Sequence, residues 1–479
     1  MAYTTVNKPS DHFKVKTYTG NGSTNAITGV GFKPDWTICK RRSGSASNNG
    51  AFDSVRGVTK LISTSLNDGQ ETRADSLTAF GSDGFTLGAD SGNYVNTNSE
   101  TFVSWNWLAG GASPTKTYTV KVVDSGGNKY RFDDFGTNAV TLDLQEGGTY
   151  TFDSSDSSVS SHPFVIGTSA NSSEYSTGVT YQLDGVSKTY SEYTSGFSSA
   201  SSRKLIITVA ASAPALYYWC SNHSGMGGAI NTNTTHGSSN FAGSLQATVS
   251  ANSTAGYSVV KYTGATGAQT FGHELGAVPK VVFCKNLDST SSSAEHWRVY
   301  HNAIGAGKYF KLNTNDAQIT DTGPFSDTTP TSTLVYVGGD DGTSKNGEAQ
   351  IAYCFANVEG YSKFGTYIGN DSDNFIYTGF RPGFLICKRI DSSDNWKVLD
   401  TARGATDPEG NPKNYTLSWD SSAAEGQPEG GIDVYFNSNG FFFDGMTNDA
   451  YNHATGTYAY LAIAEQPLVG TNDIPATGR

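Results

Sequence analysis

The chain repeats itself, and that repetition limits what it can fold into more than any other feature. Gly31-Phe32-Lys33-Pro34-Asp35-Trp36-Thr37-Ile38-Cys39-Lys40-Arg41 returns as Gly379-Phe380-Arg381-Pro382-Gly383-Phe384-Leu385-Ile386-Cys387-Lys388-Arg389. A weaker copy runs from Gly276 to Lys285 and keeps Pro279, Cys284 and Lys285. Strand-like leads precede the copies from Phe13, Tyr257 and Tyr361. Downstream, Asp53-Ser54-Val55-Arg56-Gly57 matches Asp400-Thr401-Ala402-Arg403-Gly404, and Gly81-Ser82-Asp83-Gly84-Phe85 matches Asn437-Ser438-Asn439-Gly440-Phe441. Each copy closes on an aromatic strand, ending at Gly111, Gly360 and Gly470.

Period-2 patterning and Gly/Asn/Asp/Ser turns predict an antiparallel β-sandwich for each copy. No window carries the apolar spacing of an amphipathic helix. Composition agrees: 55 Gly, 26 Tyr and 25 Phe with only 16% charged residues favour strands joined by tight turns. Helix content is expected below about 10%. A unit of this size can bury its own core, so the repeats read as beads rather than solenoid turns. They span 1–111, 257–360 and 361–479, the last with a C-terminal tail. Between the first two lies a different segment, 116–233, with its own strand signals, followed by an expected linker at 234–256. Four all-β domains in series are the expectation.

The inserted segment carries the sharpest chemistry. Leu216-Tyr217-Tyr218-Trp219-Cys220-Ser221-Asn222-His223-Ser224-Gly225-Met226-Gly227-Gly228 places a thiolate, an imidazole and a thioether on one loop after an aromatic strand. A second imidazole, from His162 in Ser160-Ser161-His162-Pro163-Phe164, completes a His2Cys set with an axial Met, a pattern that selects copper. Zinc also suits such ligands, and a fold can keep them without an ion. These residues resemble the cupredoxin family. It places a first His on a loop after an early strand, and its Cys, second His and Met on the loop before the last strand. The resemblance implies a cupredoxin-like Greek-key sandwich with His162, Cys220, His223 and Met226 as metal ligands.

Other groups read as structural. Cys39, Cys284 and Cys387 recur at one repeat position between apolar neighbours, and Cys354 has a similar setting, so all four are expected in the core. Asp53 with Arg56, and Asp400 with Arg403, read as ion pairs that fix a turn. His273, His296 and His301 lack metal-ligand spacing. The Asp/Asn/Gly runs at 338–342 and 369–374 match no calcium loop, and turn chemistry explains them; calcium is not expected. No motif for nucleophilic, metallopeptidase or nucleotide chemistry is present, so no catalytic residue and no organic-cofactor site is assigned. A net charge of −12 with no basic stripe argues against nucleic acid as a partner. No apolar stretch is long enough for a membrane helix, and no membrane insertion is expected. The N-terminus has neither the charged nor the apolar region of a signal peptide.

The repeat motifs, with the closing Tyr458-Ala459-Tyr460-Leu461-Ala462-Ile463-Ala464-Glu465-Gln466-Pro467 strand, resemble a recurring domain in structural proteins of marine tailed phages, notably those infecting cyanobacteria. The second repeat departs most: His301-Asn302-Ala303-Ile304-Gly305 stands where Asp-x-x-Arg-Gly is expected. The resemblance implies a non-enzymatic virion protein (a fibre, tail-appendage or capsid-decoration subunit) assembled in the host cytoplasm and released by lysis. Its expected partners are other virion proteins, further copies of itself as a trimer, and a host-surface glycan. The competing expectation is an extracellular bacterial copper electron-transfer or adhesion protein.

Overall fold

The computed structural model describes residues 4–111, 113–232, 237–290, 294–403, 413–425 and 433–469. Gly404 of the third repeat's turn motif, residue 233 of the inserted segment, residues 234–236 of the expected linker and the tail from Gly470 lie outside the described residues. Strands make up 44% and helices 5%, so the all-β expectation holds. The chain divides into two compact units. One comprises Met1–Ala109, Ala251–Gln269 and His273–Arg479; the other comprises Gly110–Ser250 with Thr270–Gly272.

All three repeats lie in the first unit and share one strand order. In the first repeat the lead strand Phe13–Thr19 pairs with the closing strand Thr101–Trp107, which pairs with Trp36–Arg41, which pairs with Gly50–Asp53. Tyr257–Thr263, Ala349–Ala356, Pro279–Asn286 and Arg298–His301 repeat that order, as do Ser362–Ile368, Thr457–Pro467, Phe380–Arg389 and Lys397–Asp400. Registers Trp36↔Asp53, Val281↔His301 and Phe384↔Asp400 put Asp53, His301 and Asp400 at one structural position. A smaller sheet faces the larger one in the first repeat (Asn25–Thr28, Gly84–Leu87, Leu77–Gly81) and has a counterpart in the third (Asn374–Tyr377, Gly440–Phe443, Val434–Asn437). The turn motif needs its glycine: a Cβ at Gly84 would stand 2.0 Å from the Ile27 carbonyl oxygen, and one at Gly440 would stand 2.2 Å from that of Ile376.

The repeats are not independent beads. Ile27, Cys39, Phe52 and Leu87 form part of a local core in the first repeat, but a second core runs through all three. Trp36–Arg41 and Phe380–Arg389 are buried at every position, not at alternate ones. One face of each main sheet packs inside its own repeat, and the other packs against its neighbours. Trp36 stacks on Tyr353 with ring centroids 4.1 Å apart, Phe13 meets Phe384 at 5.1 Å, and Phe283 meets Trp419 at 6.2 Å.

Polar joints follow the same cycle. Lys40 Nζ donates to the Ser421 carbonyl (2.6 Å), Lys285 Nζ to Asn67 (3.1 Å) and Lys388 Nζ to Asn315 (3.1 Å). At a second equivalent position Asn49 Nδ2 donates to the Trp419 carbonyl, Trp297 Nε1 to Ser63 and Trp396 Nε1 to Lys311. In both sets the first repeat reaches the third, the third reaches the second, and the second reaches the first. That is a closed head-to-tail ring of three within one chain.

The second unit has two sheets. One runs Asn128–Phe132, Thr115–Asp124, Thr149–Asp153, Arg203–Thr208, Val179–Leu183 and Val186–Lys188; the other runs Leu142–Asp143, Gly228–Asn231, Leu216–Cys220, Phe164–Ser169 and Ser172–Glu174. Tyr118, Tyr130, Phe132, Phe152, Phe164 and Tyr218 contribute to its core. Two strand pairs run parallel, Thr115–Asp124 with Thr149–Asp153 and Leu142–Asp143 with Gly228–Asn231. The expected linker is largely structured, and the unit extends to Ser250. Ser238–Asn240 pairs with Ala247–Asn252. Phe241 packs into the unit's core, and the buried Tyr118 and Tyr150 hydroxyls find partners in the Ser239 carbonyl (2.8 Å) and the Ser238 hydroxyl (2.6 Å). A buried hydroxyl requires such a partner.

Candidate metal centre

Strand pairing creates the site. Phe164 lies opposite Cys220 in an antiparallel pair, so His162, two residues before Phe164, falls just beyond the end of the Leu216–Cys220 strand. The loop that follows Cys220 returns His223 to the same end. Several hydrogen bonds tie these loops. Ser221 N donates to the Pro163 carbonyl (3.1 Å), Asn222 Nδ2 to that of Ser161 (3.1 Å) and the Tyr130 hydroxyl to that of His162 (2.9 Å). Gly225, at φ 76°, turns the loop and donates its N–H to Asn171 Oδ1 at 2.8 Å.

His162, His223 and Cys220 converge. His162 Nδ1 is 3.1 Å from His223 Nδ1 and 3.8 Å from Cys220 Sγ, and His223 Nδ1 is 3.6 Å from that sulfur. A triangle with sides of 3.1, 3.6 and 3.8 Å has a circumradius of about 2.0 Å, close to metal–nitrogen and metal–sulfur bond lengths of about 2.0–2.3 Å. The donor chemistry and the spacing fit one soft ion. Among the described residues this is the one group of three His, Cys, Asp or Glu side chains arranged to hold a metal. Cys220 is 1% exposed and Met226 2%, both within the unit's core, whereas His223 is exposed. Met226 seats the far end of the loop, where its carbonyl accepts the Tyr130 N–H at 3.0 Å. Burial, and then the neighbouring His223, hold the His162 pKa below the usual imidazole value, which favours the neutral ligand form.

The other sequence-predicted groups have structural partners. Cys39, Cys284, Cys354 and Cys387 are all buried, and burial pushes the thiols of Cys39, Cys354 and Cys387 up to about 12. Asp53 pairs with Arg56, and Asp400 pairs with Arg403 at 2.7 Å. Both carboxylates also accept a donor from the next repeat, the Tyr353 hydroxyl at 2.7 Å and Trp105 Nε1 at 3.0 Å, so they join repeats as well as fixing turns. His301 takes that position in the second repeat. Its Nδ1 accepts the Ala303 N–H at 3.1 Å, its Nε2 faces the Tyr460 carbonyl at 3.5 Å, and burial depresses its pKa to about 4. Asp340, in one glycine-rich turn, pairs with Arg298 at 3.0 Å. The recurring Lys40, Lys285 and Lys388 are the functional joints that sequence reasoning passed over. A lysine held at one repeat position next to a core cysteine was the available signal.

No curated protein matches the chain. A family model described as "Domain of unknown function (DUF7483)" matches residues 8–129 and 230–467. The match covers the three repeats and breaks over the stretch that contains all four candidate ligands. The chain belongs to the family described as Domain of unknown function (DUF7483).

Proposed function

We propose that this chain is a non-enzymatic structural protein of a tailed-phage particle, a fibre, tail-appendage or capsid-decoration subunit, whose inserted unit is a cupredoxin-like sandwich that holds copper. The repeat motifs and their resemblance to phage structural domains support the particle role. Other particle proteins, a homotrimer of the chain and a host-surface glycan are the partners this reading proposes. The single observation that carries the metal reading is the triangle of His162, His223 and Cys220 ligand atoms. Bound copper would supply a link between the two loops and a thiolate-to-metal absorption. The chain's own residues set the donor geometry and shield Cys220 from water.

Two experiments test the two halves. Cu(II) added to the purified full chain should give an intense visible band at one ion per chain, and Cys220→Ser should abolish it. Gold-labelled antibody to the chain should decorate purified particles at a defined place; unlabelled particles contradict the particle role. One observation favours a second reading. His223 is exposed, as an electron-transfer centre requires of one ligand edge. An extracellular bacterial electron-transfer or adhesion protein would appear on intact cells rather than on particles.

A further inference from the structure

His162 presents its two ring nitrogens to different neighbours. Nδ1 faces His223 Nδ1 and Cys220 Sγ, and is therefore the atom available to a metal. Nε2 lies 3.3 Å from the carboxamide nitrogen of Asn128. Asn128 opens the strand Asn128–Phe132, immediately after Gly126 and Gly127, which hold φ of 67° and 114°. That tight turn delivers Asn128 to the same end of the sandwich as the cluster. If Nδ1 is to offer a lone pair, the ring proton must sit on Nε2, and that N–H needs an acceptor. A carboxamide exchanges its oxygen and nitrogen by a half-turn of its terminal group, so Asn128 can present Oδ1 there. His223 has no protein partner at its own Nε2 among the described residues, and it is exposed. The two imidazoles thus differ: one is braced, the other open.

We propose that Asn128 is a positioning residue of the cluster. Its carboxamide oxygen accepts the Nε2–H of His162, fixes the tautomer that leaves Nδ1 free, and aims that nitrogen at the point shared with His223 and Cys220. Outer partners of this kind commonly change metal affinity about 10- to 100-fold. The metal consequence rests on the reading above; the tautomer is a property of the metal-free chain.

Two readouts on the full-length protein separate the claims. In the metal-free chain with 15N-labelled histidine, long-range proton–nitrogen correlation should show His162 as the Nε2–H tautomer, and Asn128→Ala should convert it to a mixture. In Co(II) and Cu(II) titrations, Asn128→Ala should bind about 10- to 100-fold more weakly while keeping the thiolate-to-metal band. Asn128→Asp, which keeps an acceptor, should restore affinity and lower the copper reduction potential. An unchanged tautomer and unchanged affinity in Asn128→Ala overturn the proposal. If the wild type binds metal through Cys220 while Asn128→Ala changes nothing, the metal reading survives and this inference fails. If the tautomer shifts but no metal binds, Asn128 positions His162 and the metal reading fails.

Discussion

The three-repeat unit covers a set of charged joints completely, whereas the inserted unit gathers its cluster at one end, with Cys220 and His162 buried and His223 exposed. Arg403 and Asp400 are 2% exposed, and Lys40, Lys285 and Lys388 are fully covered. Asp400 accepts and the three lysines donate across repeat boundaries, while Arg403 holds Asp400 within the third repeat. In the inserted unit the loops around His162 and His223 leave one imidazole open to solvent. Both arrangements start from β-sandwich physics, in which an antiparallel pair fixes which residues meet at its end. The difference lies in what covers each face. A sheet covered on both sides turns its polar residues into internal joints, while a sandwich end stays accessible and can host a ligand.

Disrupting a buried joint should have the largest effect. Arg403→Ala leaves the buried Asp400 without its cation and Glu425, 2.9 Å from Arg403, with Arg42 alone. It should destabilise the three-repeat unit by about 3–5 kcal/mol. Chemical denaturation reads that loss, and Cu(II) binding should stay unchanged. If copper binding fell with stability, the separation of roles between the units would be wrong.

The equivalence of repeat positions gives the next test. His301 occupies the carboxylate position, and Ile304 occupies the arginine position. His301→Asp buries a carboxylate without a cation and should cost about 2–4 kcal/mol. His301→Asp with Ile304→Arg should recover much of that loss. A double variant no more stable than the single would show that the second repeat's joint has diverged beyond exchange.

A smaller effect comes from the lysines. Burial depresses Lys40 to about 8, Lys285 to about 7 and Lys388 to about 8. Free lysine titrates near 10.4, so between about pH 7 and 9 the unfolded chain holds more protons than the folded one. Stability should therefore rise with pH across that window, with the full burial penalty present below it. Above about pH 9 the sign reverses, because buried thiols such as Cys39 and Cys387, and then buried tyrosines such as Tyr257 and Tyr353, keep protons that the unfolded chain loses. Replacing the three lysines with Met should flatten the rise; an equally steep rise would place its origin elsewhere. The smallest effect is expected at Met226. Met226→Leu should keep the visible copper band and shift the reduction potential, because an axial thioether is a weak, long ligand.

The repeats and the Cys220-x2-His223-x2-Met226 loop were legible because both are local in sequence. Their contacts were not. Matching motifs show that Trp36 and Phe384 are copies, but not that Phe13 on the first repeat's lead strand meets Phe384 at 5.1 Å. Continuous burial of Trp36–Arg41 was not legible, because Thr37, Lys40 and Arg41 are polar and nothing local names the surface that covers them. Ser238-Ser239-Asn240 looked like linker because its polar composition hides backbone pairing and its role as partner to Tyr118 and Tyr150. Asn128 follows Gly126-Gly127 and belongs to no motif. Only the fold brings it to His162. The closed ring of three also means that a trimer of whole chains must use surfaces other than these joints.

The central claim is that the inserted unit holds one soft ion between two imidazoles and a thiolate. X-ray absorption at the copper edge of the loaded full-length protein tests it most directly. The account predicts two nitrogen scatterers and one short sulfur scatterer at about 2.0–2.3 Å, with the sulfur lost in Cys220→Ser. A first shell of oxygen and nitrogen alone, or a sulfur that persists in Cys220→Ser, would contradict it.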